Sequence, residues 1–560
     1  MSSIRRNFST TARALLEFIW KGTGSNSQYE DRIKAKLAKN PKLVDADKVE
    51  IAGDEHTSPA DPKPRVSGQV FKDNRRLTSL HAYHDGTIIY SKDKMLIVKL
   101  GPSRKRTPYY AAIRHAQQTL FKAWALCPCM LKIMTRNLPN ILTHPFKAFR
   151  QSPWAFSSAL PSRIDPSLLI EEENSPYYEP AYFYPARIGE ILNDRYQIAT
   201  KLGHGSRSSV WLARDLHQWR WSNERYVALK INSNNSHARK TAGGVELEVL
   251  RHITRANPQH EGWPFVRKLL DSFSVQGISG NHVCLVFEPL RESLGKYCQR
   301  WQDRVMPPEI FKIILQEILQ ALDYLHTECH IIHTVIDLKP DNIMVRLEDR
   351  ELLSQNARDE FENPLPQKHC NDGRIIYLSR KDYGPLKDII GLIEVVDFDL
   401  AVQGDILQDG CIQAEVYRAP EVILDRGYTY SADIWSLGVM LWDFLEGRTL
   451  FESVDPRTVE VYDDETHISY ITSLLGPAPK DFVRRGKRTS MFYTAAGTLK
   501  KEDLVPSNFS FESTISKFDG EEKRMFISFV NRMIKWKPEE RSTAAELLQD
   551  PWLHNDYPQI

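Results

Sequence analysis

Between Ile331 and Val345 the chain reads I-I-H-T-V-I-D-L-K-P-D-N-I-M-V, and three of its side chains have complementary chemistry. Asp337 offers a carboxylate, Lys339 an ammonium and Asn342 a carboxamide. A carboxylate can orient an incoming hydroxyl, an ammonium can meet a transferred phosphate, and a carboxamide oxygen can ligate a hard cation. Polar loops with Asp and Asn are common, so the trio alone is a weak signal. Its weight comes from what stands before and after it. Upstream, Leu202-Gly203-His204-Gly205 leads through Ser208 to Val210, and the apolar Ile198, Leu202, Val210 and Leu212 permit strand–turn–strand. Lacking a Cβ, Gly203 and Gly205 let backbone N–H groups approach a triphosphate. Downstream, Val396-Asp397-Phe398-Asp399 brings further carboxylates.

In this order the stretches resemble the eukaryotic protein kinases, and the resemblance assigns roles. Asp337 would orient the substrate hydroxyl and Lys339 support transfer, while Asn342 and Asp397 would hold Mg²⁺. Leu202, Gly203, Gly205 and Val210 would cover the nucleotide. Val227-Ala228-Leu229-Lys230 reads as a third strand, with Lys230 reaching the α/β-phosphates of ATP. The partner of Lys230 should be Glu246, with Glu248 the competing choice about 200° away on a helix. Val283 to Leu290 looks like a fifth strand entering a hinge, where the backbone of Glu288 and Leu290 would recognise adenine and Phe287 would keep the pocket small. Ile314, Ile318, Leu322 and Leu325 form the apolar stripe of the helix before the catalytic loop. Glu421, in Tyr417-Arg418-Ala419-Pro420-Glu421, should pair with Arg541, and the helix carrying Asp433, Trp435 and Gly438 should prop the catalytic loop.

The wording D-Y-L-H-T-E-C-H-I-I-H-T, the long insert after Asn342, and R-A-P-E-V-I-L-D-R-G-Y-T-Y-S-A-D-I-W resemble the SR-protein kinases, notably their fungal SRPK-like members. That implies a monomeric serine/threonine kinase using ATP and Mg²⁺ on Arg-Ser-rich, splicing-factor-like proteins, with a role in mRNA processing and no nucleic-acid contact by the kinase part. Asp455, Glu460, Asp463, Asp464 and Glu465 are candidates for an acidic groove that docks such substrates; the alternative is a solvated acidic loop before a helix starting near His467. Four departures stand out. Ser208 replaces a third glycine, Asp399 replaces the glycine after Asp397-Phe398, and Ala414 stands where a threonine is usual. Val335 and Ile336 read as an insertion that leaves His333 four residues before Asp337 instead of two. A misplaced catalytic group loses rate heavily, so a pseudokinase scaffold of the same fold is the second reading.

The expected fold is α+β and bilobal, with a β-rich small lobe over 168–290 and a helical large lobe over 291–560, the latter interrupted by an insert at about 347–392. Residues 1–150 carry 27 Lys and Arg against 12 Asp and Glu, and the remainder 47 against 60. A basic front joined to an acidic body points to two segments with different partners. Residues 1–22, with Arg5, Arg6 and Arg13 and no acid before Glu17, resemble a mitochondrial presequence. Residues 23–167 read as a basic linker-like segment, with nucleic-acid binding or a mitochondrial role through 1–150 as a third reading. Within them Thr87–Tyr90 and Met95–Val98 alternate as a hairpin around 91–94. The kinase signal is the longer and more specific, so the cytoplasm and nucleus are the expected place, the mitochondrion the alternative. Seven cysteines without a regular framework fit a reducing compartment. No apolar run reaches the roughly 18 residues a membrane span needs.

Overall fold

The computed structural model describes residues 82–83, 86–91, 94–99, 149–175, 178–234, 242–333, 338–385, 392–410 and 412–555. Contacts divide the chain into two units, and residues 48–148 form one of them. In that unit Gly86–Ser91 pairs antiparallel with Lys94–Lys99, from Gly86 opposite Lys99 to Ser91 opposite Lys94. The expected hairpin is there, a residue longer at each strand end.

The other unit carries the kinase motifs. Its small lobe is a six-stranded antiparallel sheet: an edge strand Ile191–Leu192, then β1 (Tyr196–Gly205), β2 (Ser208–Asp215), β3 (Tyr226–Asn232), β5 (Gly280–Phe287) and β4 (Asp271–Gly277) in spatial order. Strand side chains alternate between faces. Val227, Leu229 and Ile231 therefore join Ile198, Trp211 and Val286 on one side, while Ala228 packs with Leu285 and Phe287 into the core shared with the large lobe. Lys230, two residues on, shares the face of Ala228 and so points into the cleft. Helix α1 (Ala242–Arg255) buries Leu250 and Ile253, and Glu246 lies on that stripe at i−4 and i−7.

A short strand β6 (Leu290–Ser293) continues from the hinge and pairs with β7 (Ile343–Arg346), which pairs with β8 (Ile393–Val395). The large lobe is built on α2 (Pro308–Thr327) and α4 (Ser431–Leu445), both buried along most of their length; in α2 the polar Lys312, Gln316, Glu317 and Gln320 are covered along with the apolar stripe. Among the described residues no helix is long and apolar enough to cross a membrane.

Two boundaries differ from the sequence reading. The insert leaves at β7 and returns at β8, but its body packs on the small lobe. Helix α3 (Glu351–Glu362) presses Leu353 and Ala357 against Ala199, Leu212 and Tyr226, and Tyr377 meets Trp211 edge-on at 5.5 Å. The packed unit also reaches back beyond residue 168. Gln151 donates its N–H to the Gln218 carbonyl, Trp154 packs on Phe361 at 5.4 Å, and Arg163–Ile164 pairs with Gln367–Lys368 of the insert. A polar-looking segment is thus held by a few large apolar contacts. Replacing Leu353 with Ala should cost about 2–5 kcal/mol, the range for opening a core cavity, whereas a solvated insert would lose less than about 0.5 kcal/mol. Urea unfolding distinguishes the two.

Candidate active site

Lys230 is the electrostatic centre of the cleft. Its Nζ donates to Glu246 Oε1 at 2.7 Å and to Asp397 Oδ1 at 2.8 Å. Burial alone would favour the neutral amine, but Asp397 and Glu246 together push its pKa above the ordinary lysine value. Lys230 in turn holds Asp397 below the usual carboxylate range. Burial raises Glu246 against the opposing pull of Lys230. The choice between Glu246 and Glu248 is resolved by helical phase, since Glu246 is 2% exposed and Glu248 lies on the solvent face.

The phosphate-loop residues form the β1–β2 hairpin, with Gly203 opposite Val210 and Gly205 opposite Ser208. A Cβ on Gly203 would meet nothing within 4 Å, so the loop stays open there. Ser208, at the third-glycine position, is buried in the strand and fits without distortion. Leu202 and Val210 are half-buried. At the hinge Leu290 is buried and opens β6. The Glu288 carboxylate is bound by Arg225 at 2.8 Å and Arg350 at 3.2 Å, one from β2–β3 and one from the insert. Neither arginine carried a signal in the sequence, because the pairing depends on where the insert lies.

Asp337 and the inserted Val335 and Ile336 lie outside the described residues, together with Thr334. Both flanks of that short segment are fixed to one residue. His333 Nε2 bonds the Val396 carbonyl at 2.9 Å, and Val396 N donates to the Asn342 carbonyl at 2.9 Å. His333 also packs edge-on against Phe398 at 5.1 Å, and its N–H donates to Asp433 Oδ2 at 3.0 Å. The same oxygen takes His326 Nε2 at 2.8 Å, so α4 props the catalytic loop as expected. Lys339 sits just before the Pro340–Asn342 turn, and Ser293 donates to Asp341 at 3.3 Å.

Asp397, not Asp399, takes the left-handed backbone (φ 67°). The missing glycine at 399 therefore incurs no strain there. The cost of Asp399 is electrostatic instead: burial, then the nearby Asp397, pushes its carboxyl up to about 6. Side chains before Glu421 hold the segment to α4. Gln413 donates to the Ala432 carbonyl and Ser436 Oγ and accepts from Ala419 N, and Tyr417 donates to Asp443 Oδ2 at 2.9 Å. Glu421 and Arg541 form a fully buried bidentate pair at 2.6 and 2.7 Å.

The five docking carboxylates are not equivalent. Asp455 is buried against Arg457 at 2.6 Å, and Asp464 is bound by Arg418 and Arg488 at 3.2 and 2.7 Å. Asp463 caps helix α5 (Asp464–Leu475), which begins three residues before the expected His467, and Glu465 pairs with Lys501. Glu460 is exposed. Asp455 and Asp464 are thus committed within the chain, while Glu460 and Asp463 face solvent.

The Asn342–Val396 backbone bond joins the residue that carries the carboxamide to the one just before Asp397, and the oxygens of Asn342 and Asp397 are of the kind that suits Mg²⁺. A two-lobed fold with a lysine bridged to a helix glutamate and to this carboxylate defines a protein kinase. Residues 196–553 match the protein kinase domain family, and the chain belongs to it. A serine/threonine protein kinase of Aspergillus fumigatus is 36% identical over 409 residues, covering 72% of this chain and 97% of that one. The serine/threonine-protein kinase SRPK of Physarum polycephalum is 30% identical over 406 residues (68% and 91%), and SRSF protein kinase 3 of Homo sapiens 24% over 524 (69% and 90%). More narrowly, then, the chain is an SRPK-like serine/threonine kinase, a class that works with ATP and Mg²⁺.

Because the folded pKa of Asp399 is raised, its charge opposes folding increasingly as pH climbs from the ordinary carboxylate range through about 6. Asp399→Asn should therefore raise the melting temperature at pH 7.5 and leave it nearly unchanged at pH 4. Equal stabilisation at both values would mean that the carboxylate is not repelled in the cleft.

Proposed function

We propose that this kinase phosphorylates serines in Arg-Ser-rich proteins of the mRNA-processing machinery, and does so in the cytoplasm and nucleus. The observation that supports it most is the relationship to SRPK and SRSF protein kinases over more than two thirds of the chain. The acidic balance of residues 151–560, 47 basic against 60 acidic, suits an arginine-rich substrate, with Glu460 and Asp463 its exposed candidates on the large lobe.

In the reaction Asp337 orients the serine hydroxyl and takes its proton as the oxygen bonds the γ-phosphorus. The bond from that phosphorus to the β,γ-bridging oxygen breaks, and ADP leaves. Lys230, held by Glu246, steadies the α/β-phosphates, Lys339 meets the moving phosphoryl group, and the backbone N–H groups of the β1–β2 turn cover the rest. Asn342 and Asp397 would hold Mg²⁺, which supplies charge neutralisation on the phosphates.

The protein should transfer phosphate to an Arg-Ser repeat peptide, and Asp337→Ala should lower kcat by at least about 10²-fold. Deleting Val335 and Ile336 should raise the rate. Nucleotide binding without transfer by either version would favour the pseudokinase scaffold. From Asp397 to Glu421 there is no Ser or Thr, and Tyr417 is buried with its hydroxyl on Asp443. Phosphatase treatment should accordingly leave the rate unchanged, and a loop phosphate found by mass spectrometry whose removal silenced the enzyme would sink that expectation. Fluorescent fusions of residues 1–60 and 168–560 test placement: nuclear and cytoplasmic signal is expected for the second, and full-length native protein recovered from mitochondria would overturn it.

A further inference from the structure

The outer side of the phosphate loop is gripped by a segment that no kinase motif covers. Glu171 to Asn174 forms a short turn whose acids lie against β1. Lys201, two residues before Gly203, is wholly buried; its ammonium donates to Glu172 and, at 3.1 Å, to the Tyr377 carbonyl of the insert. Glu171 lies 3.6 Å from the same ammonium and 3.4 Å from His204 Nε2, the imidazole between the two loop glycines. Ser379 of the insert grips Glu171 from behind. Its N–H donates to Oε1 at 3.0 Å and its hydroxyl donates to Oε2, while Arg380 N donates to the Lys201 carbonyl at 2.9 Å.

Three observations give this contact a purpose. Glu171 adopts φ 52°, a left-handed backbone that a glutamate keeps only when its surroundings over-determine it. Burial alone would raise its pKa, but the Ser379 hydrogen bonds and Lys201 hold it below the ordinary value, so the carboxylate is charged. A G-x-G strand loses much conformational freedom on ordering, and Gly203 has no packing of its own to offset that. His204 is the one side chain between the glycines by which the loop can be held.

We propose that Glu171 is a positioning residue for ATP. Backed by Ser379, it fixes the phosphate loop through His204 and Lys201, so that the loop is ordered before nucleotide arrives. The proposal rests on the reading of Gly203 to Val210 as the nucleotide cover. Glu171→Gln and Ser379→Ala in the full chain should each weaken binding of a fluorescent ATP analogue about five- to tenfold and raise KM for ATP alike, with kcat and KM for peptide within about twofold. The Glu171→Gln effect should shrink in a His204→Gln background, because the two share one contact. Unchanged nucleotide affinity in variants that melt like the parent would overturn the proposal, and so would strictly additive effects of Glu171→Gln and His204→Gln. Lys230→Met separates the two levels. If it leaves nucleotide affinity intact, the reading of the cleft itself fails, whatever Glu171 does.

Discussion

The structure depends on one buried cation held between two carboxylates, the three side chains coming from separate elements. Lys230 comes from the central strand of the small lobe, Glu246 from its helix, and Asp397 from the segment after β8 in the large lobe. An unpaired charge there would cost several kcal/mol, so the three elements are strongly biased to meet. The rest of the small lobe can be understood as what brings them there. The alternation of β3 aims the lysine into the cleft, the Glu246-Leu250-Ile253 stripe turns the helix towards it, and Phe398, buried beneath His333, fixes the approach of Asp397.

A second joint lies below the first. Val396 binds one bank of the catalytic loop through its carbonyl and the other through its N–H, and Asp433 holds His333 and His326 from α4. Between them these bonds tie His333, Asn342 and the approach to Asp397 to one another and to the large lobe.

The motif order in the sequence was enough to place Lys230, Asp397, Glu421 and Arg541, because each sits in a short pattern, but it left Glu246 and Glu248 as alternatives that only the packing of the helix separates. The insert was not legible in the same way. Leu353 and Ala357 are two small apolar marks in a charged helix, and nothing local tells which lobe they cover. Phe149 and Trp154 were hidden for the same reason: their partners Trp219 and Phe361 are far along the chain. The acids at 455–465 were offered as what the resemblance implies, which does not register that arginines already occupy two of them. The motif names a glycine at 399, while the left-handed turn falls on Asp397, which no local pattern signals.

The closed hydrogen-bond set of Gln413 and the buried hydroxyl of Tyr417 have a kinetic meaning. Side chains of the segment already hold its backbone, which is the work a loop phosphate would otherwise do. If the segment works without phosphorylation, as proposed, the output of the enzyme scales with how often it encounters a substrate, and control falls to traffic: the amount of protein, the compartment it occupies, and the competition among substrates.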